Sequence, residues 1–101
     1  MYARVAKYRG AASDDLGALL PHLTARIDRD LDEPPPGLEG LREVFVLVDR
    51  ERGHALAVTC FDSQDDLERG EQALNHVAMS QGGGVRTEVD HYEVVLRRAR
   101  R

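Results

Sequence analysis

The order of elements in this chain predicts an α+β fold, with two helices packed on one face of a four-stranded antiparallel sheet. Three observations lead there. Two segments carry apolar residues at helical spacing, and four others have the alternation and the β-branched or aromatic content of strands. The breakers between them allow one order, βαββαβ. At 101 residues, 42% hydrophobic and 32% charged, the chain can bury a single modest core but not two. Residues 1–101 are therefore one domain, with 98–101 as a basic tail.

YARVAKY (2–8) is rich in strand formers and ends at Gly10. Leu16, Leu19, Leu20, Leu23, Ile27 and Leu31 then recur within a stripe roughly 120° wide on a helical wheel. Ser13, Asp14 and Asp15 supply its start signal. Pro21 removes the bond to the Gly17 carbonyl and should kink this helix on its solvent side. DEPPPGLEG (32–40) holds too much Pro and Gly for a regular element. LREVFVLVD and HALAVTCF flank RERG (50–53), whose Gly53 can take the positive φ of a hairpin loop.

FDSQDDL (61–67) reads as a strand end running into a helix, with Asp62 or Ser63 as N-cap. Asp65 and Asp66 fall in the first turn, where negative charge meets the positive end of the helix dipole. The helix extends to about Ser80, with Leu67, Gly70, Leu74, Val77 and Ala78 on one side, and QGGG ends it. VRTEVDHYEVVLR (85–97) is the last strand.

The economical packing of this order is the ferredoxin-like arrangement, which leaves one sheet face uncovered. Alternation divides the strand residues into two sets. Ala3, Val5, Val44, Val46, Val48, Leu56, Val58, Cys60, Tyr92, Val94 and Leu96 are nearly all apolar and are expected to meet the helices. Tyr2, Arg4, Ala6, Tyr8, Glu43, Phe45, Leu47, Ala57, Thr59, Phe61, Val89, His91, Glu93 and Val95 are mixed and are expected on the open face. Two such faces pressed together in a homodimer would bury Phe45, Leu47 and Phe61. Arg4, Tyr8, His91 and Glu93 would then line a small-molecule pocket.

Composition narrows the function classes. A net charge of −4 argues against nucleic acid as a partner, and the basic RRARR end (97–101) reads as a solubilising tail. Cys60 is the single cysteine, so no intrachain disulfide can form. The N-terminus lacks the apolar stretch of a signal peptide, and no run is long enough to cross a membrane. A cytoplasmic location is expected.

MYARVAKY, PGLEGLREVFVLVDRERGHALAVTCFDSQDDL and HYEVVLR together resemble the antibiotic biosynthesis monooxygenase-like proteins of the dimeric α/β barrel superfamily. The resemblance rests on the Pro36-Gly37-Leu38-Glu39-Gly40 loop, the hairpin turn from Val48-Asp49 to Gly53, and Phe61-Asp62-Ser63 before an acidic helix start. It implies a ferredoxin-like subunit that pairs through its sheet. Among such proteins, some oxidise aromatic intermediates with dioxygen and no metal or flavin; others degrade haem or have no known activity. This chain departs from the pattern in having no Trp. His76, preceded by Asn75, is its one match to the helical haem-ligating histidine, and the wheel turns it away from the core, which disfavours haem degradation.

His91 and Glu93 lie two apart on one strand and share a face. A carboxylate beside an imidazole favours the protonated form and suits the pair to acid–base work. With Tyr8 they are the catalytic candidates; Arg4, Phe45 and Phe61 are the substrate-binding ones. Arg4 could steady a phenolate, the electron-rich species that reacts with dioxygen. His22, His54, His76 and His91 show no ligand spacing, so no metal is expected, and the resemblance to cofactor-free oxygenases implies no cofactor. The combined expectation is a cofactor-independent monooxygenase-like enzyme acting on a small apolar or aromatic molecule. The alternative is a non-catalytic binding or interaction module on the same scaffold, with His91 and Glu93 as cross-strand polar pairs in its interface.

Overall fold

A computed structural model describes residues 1–10, 13–75 and 85–100, and of residues 13–19 the backbone alone. The elements are β1 (Tyr2–Arg9), α1 (Ser13–Asp32), β2 (Leu41–Asp49), β3 (His54–Phe61), α2 (Gln64–Asn75) and β4 (Val85–Glu93). This is the expected βαββαβ order. The four strands form one antiparallel sheet in the order β2-β3-β1-β4, a ferredoxin-like α+β fold. The expected end of the second helix, with Val77, Ala78 and QGGG, lies outside the described residues.

Local chemistry places the joints. Ser63 is the N-cap of α2: its Oγ accepts the Asp66 N–H at 3.1 Å, and its carbonyl accepts the first helical bond from Leu67 N–H. Gly53 takes a φ of 68° in the β2–β3 hairpin, as the turn requires. Helix α1 continues through Pro21, which is exposed, so the missing hydrogen bond faces water. In the Pro-rich loop, Leu38 N–H bonds the Pro35 carbonyl and Leu41 N–H bonds the Leu38 carbonyl. These turns push Leu38 into a buried cluster with Leu41, Phe61 and Leu67.

The direction of the sheet faces differs from expectation in three strands. Arg4 bonds Glu71 of α2. Tyr2 packs on the cluster around Phe61, and the Phe61 ring sits directly against Gly70 of α2. Following the registers, Tyr2, Arg4, Ala6 and Tyr8 share the helix side with Ala57, Thr59, Phe61, Val89, His91 and Glu93. Ala3, Val5, Leu56, Val58, Cys60 and Tyr92 lie on the other side. Only β2 has the expected polarity, with Val44 and Val46 toward the helices and Glu43, Phe45 and Leu47 away from them. A register shift between Leu41 and Glu43 restores Leu41 to the core, because one extra residue reverses the alternation.

The reversal has a physical reason. The set containing Ala3, Val5, Val58 and Cys60 is the more apolar, but apolarity does not say which partner covers a face. Ala3, Val58 and Cys60 are buried in a cluster to which Val94 adds its side chain. Strand β4 ends at Glu93, short of the expected Arg97. Val94 N–H bonds the Met1 carbonyl at 2.9 Å, and Arg97 reaches Glu43 on the far strand β2 at 2.8 Å. The segment after β4 therefore crosses toward the opposite edge of the sheet, where Arg97 is tied to Glu43 although it is exposed like Arg98 and Arg100. Cys60 is thus a small core residue of the open face, where burial and the Glu43 carboxylate raise its thiol pKa.

Candidate functional site

Between α1 and the sheet lies a cavity of about 120 Å³. Leu23 and Ile27 of α1, Leu38, Leu41, Val44, Val46, Ala57 and Leu74 form most of its wall. Arg4, Tyr8 and Thr59 bring polar groups from the sheet, and the half-buried Arg26 and Asp30 complete the lining from α1. The volume is below the roughly 300–1,000 Å³ of a drug-sized pocket. It is of the order of the roughly 150 Å³ apolar cavities that take one benzene ring.

Arg4 is the unusual member, a charged side chain only 3% exposed. A buried charge is tolerated when paired and hydrogen-bonded, and here α2 supplies the partners. Arg4 Nε donates to Glu71 Oε2 at 2.5 Å, and an Arg4 terminal nitrogen lies 3.4 Å from Asn75 Oδ1. The same Glu71 oxygen also accepts from His91 Nε2 at 2.9 Å. Burial pushes the Glu71 carboxyl up, but the hydrogen bonds from His91 and Arg4, with their charges, outweigh it and leave its pKa below the ordinary value. The register explains the meeting: Arg4 stands opposite His91 on β4 and Thr59 on β3.

The residues singled out from sequence thus divide. Arg4 and Tyr8 line the cavity together. His91 stands behind Glu71 and lines a separate groove with Glu93, Tyr2, Gln64, Leu67, Glu68 and Tyr92. Phe61 is fully buried in the core under α2, and Phe45 is 41% exposed on the opposite face of the sheet. The cavity itself lies on the helix side, not on the open face where a pocket was expected. Glu71 and Asn75 were not among the sequence candidates. Their spacing of four on α2 puts them on one helix face, a signal that gains meaning only once Arg4 is known to face that helix.

Among the described residues no three His, Cys, Asp or Glu side chains gather as a metal site would require, and no helix is long and apolar enough to cross a membrane. His76 lies outside the described residues. No protein-family model matches the chain, and no curated protein matches it. Solved structures do resemble it. A dimeric ferredoxin-like protein from an uncultured marine organism is 15% identical, with 98% of each chain covered and a TM-score of 0.64. A mutant of MhuD, solved with two manganese protoporphyrin IX bound per active site, is 18% identical, with 98% of this chain and 99% of that one covered and a TM-score of 0.59. At these identities the likeness is one of fold.

Proposed function

We propose that this protein is a homodimer that takes a small apolar or aromatic molecule between its helices and its sheet, and oxidises it as a cofactor-independent monooxygenase. The observation that carries the reading is the convergence of two buried side chains, Arg4 and Tyr8, on a cavity whose wall is mostly aliphatic. Aliphatic walls desolvate a ring while a few polar groups orient it. For a phenol, Arg4 favours the ionised form, and the electron-rich phenolate reacts with dioxygen as co-reactant. One oxygen atom enters the ring as a carbonyl. The other leaves as water with the hydroxyl hydrogen and one ring hydrogen, so the ring loses the four electrons that dioxygen gains. The sequence candidates His91 and Glu93 act from outside the cavity in this reading, His91 through Glu71.

Self-association is supported by the open face, where Phe45 and Leu47 are 41% and 50% exposed, and by the dimeric neighbour of the same fold. The porphyrin of the MhuD structure is not carried over, because no histidine is among the cavity-lining residues described. One observation favours a second reading, a non-catalytic binding module: His91 and Glu93, the acid–base candidates, do not line the cavity.

The test pairs a titration with small phenols, followed by NMR, with an oxygen electrode. Shifts confined to Leu23, Val44, Val46 and Leu74, with one dioxygen consumed per quinone formed, are expected. Binding without oxygen uptake would leave the binding module; absence of binding would end both readings.

A further inference from the structure

Glu71 serves two groups with one oxygen. Its Oε2 neutralises Arg4, a guanidinium that lines the cavity, and it also holds His91, whose side chain is 46% exposed to solvent. The cavity wall and the outer surface are thereby joined through a single carboxylate.

We propose that the cavity binds an apolar molecule bearing one negative charge, a carboxylate or phenolate seated on Arg4, and that Glu71 couples this binding to proton uptake by His91. The inference rests on the cavity being a ligand site, and adds the charge of the ligand and the proton that accompanies it.

The charge count gives the direction. With His91 neutral, Arg4 and Glu71 sum to zero, and an anion arriving at Arg4 also meets the Glu71 carboxylate. With His91 protonated the three groups sum to +1, and one ligand charge brings the set to neutrality. Arg4 is buried and Glu71 is half-buried, so charges act on them more strongly than in water, and an anion and a proton favour each other. By linkage the coupling is reciprocal.

Other nearby charges do not cancel it. Across the cavity, Asp30 is held by Arg26 at 4.0 Å and Arg29 at 3.8 Å, which offsets its repulsion of an anion. Around His91 the other carboxylates are Glu93 on its own strand and Glu68 on α2, and both line a groove to which Arg4 does not contribute. Asn75, the other partner of Arg4, is uncharged. Tyr8 lines the cavity beside Arg4, where its hydroxyl can also serve an anion.

Benzoate and toluene, which share a ring and differ in charge, separate the possibilities when titrated into the intact chain and followed by NMR. Benzoate is expected to bind about three- to tenfold more tightly near pH 6 than near pH 8, the interval in which histidine changes charge. Toluene affinity should be the same at both. His91→Gln should flatten the benzoate dependence, and Arg4→Gln should abolish benzoate binding while keeping toluene. Toluene binding without benzoate binding, or benzoate affinity equal at the two pH values in the wild-type chain, overturns the inference and leaves the cavity reading standing. If neither probe binds, the cavity reading falls and the inference with it. Should Arg4→Gln fail to fold, the wild-type pH comparison decides alone.

Discussion

Arg4 and His91 stand opposite one another across the β1–β4 register and share a single acceptor, Oε2 of Glu71, at 2.5 and 2.9 Å. A buried guanidinium and a surface imidazole therefore depend on one carboxylate from the second helix.

Replacing that carboxylate while keeping its shape should be costly. Glu71→Gln leaves Arg4 buried without a counter-ion and is expected to lower stability by about 1–3 kcal/mol. Urea unfolding measures it. Arg4→Met combined with Glu71→Met removes both charges and should recover most of the loss, since replacing a whole buried pair by apolar groups is often near neutral. A double variant as unstable as the single one would mean that the cost lies elsewhere.

The same group sets an acid limb of stability. The Glu71 pKa is lowered in the folded chain from the ordinary 4.5, so in acid the unfolded chain binds more protons than the folded one. Its contribution is complete above the ordinary value and is lost as pH falls below it through the folded pKa. Stability profiles of the wild type and Glu71→Gln should run a constant distance apart above about pH 5 and converge as acid is added below it. Parallel profiles throughout would contradict the lowered pKa.

Helix α2 docks on Phe61 through Gly70. A Cβ at Gly70 would lie 2.5 Å from Cε1 and Cζ of the Phe61 ring, which is fully buried and has no room to retreat. Gly70→Ala gains about 1 kcal/mol of helix propensity but incurs about 1–3 kcal/mol of overpacking. The clash should win, lowering the melting temperature by several degrees. A rise would show that α2 can shift outward at this point.

Filling the cavity tests its use without touching a charge. Ala57 lines it from β3, and Ala57→Leu should block ring-sized probes at a stability change within about 2 kcal/mol of wild type. Probe binding that survives the substitution would place the ligand elsewhere.

The open face gives a separate outcome. Phe45→Glu with Leu47→Glu places two charges where the proposed dimer is dry, and sedimentation should then show a folded monomer. A wild-type chain that sediments as a monomer at every concentration removes the dimer from the proposal.

Much of the fold was legible because it is written in short-range chemistry. Ser63 caps α2 through a bond spanning three residues. Gly53 takes its positive φ within one turn. The βαββαβ order followed from periodicity, and Arg4 with Tyr8 stood out as polar groups sharing a strand face. The Leu38 insertion was not legible, because a leucine between Gly37 and Glu39 in a Pro-rich loop looks the same whether it is exposed or buried.

The sequence by itself determined the elements, their order and the division of each strand into two sets of side chains, because alternation and helical spacing are properties of neighbouring residues. Only the tertiary structure decided which set faces the helices. Period-two alternation has no preferred direction, and a register shift after Leu41 reverses it within one strand. The more apolar set pointed the wrong way because the cost of burying Arg4 is not a property of its own strand. That cost depends on Glu71, 67 residues away, and a charge whose partner arrives by folding can occupy a face that its own neighbourhood would assign to water.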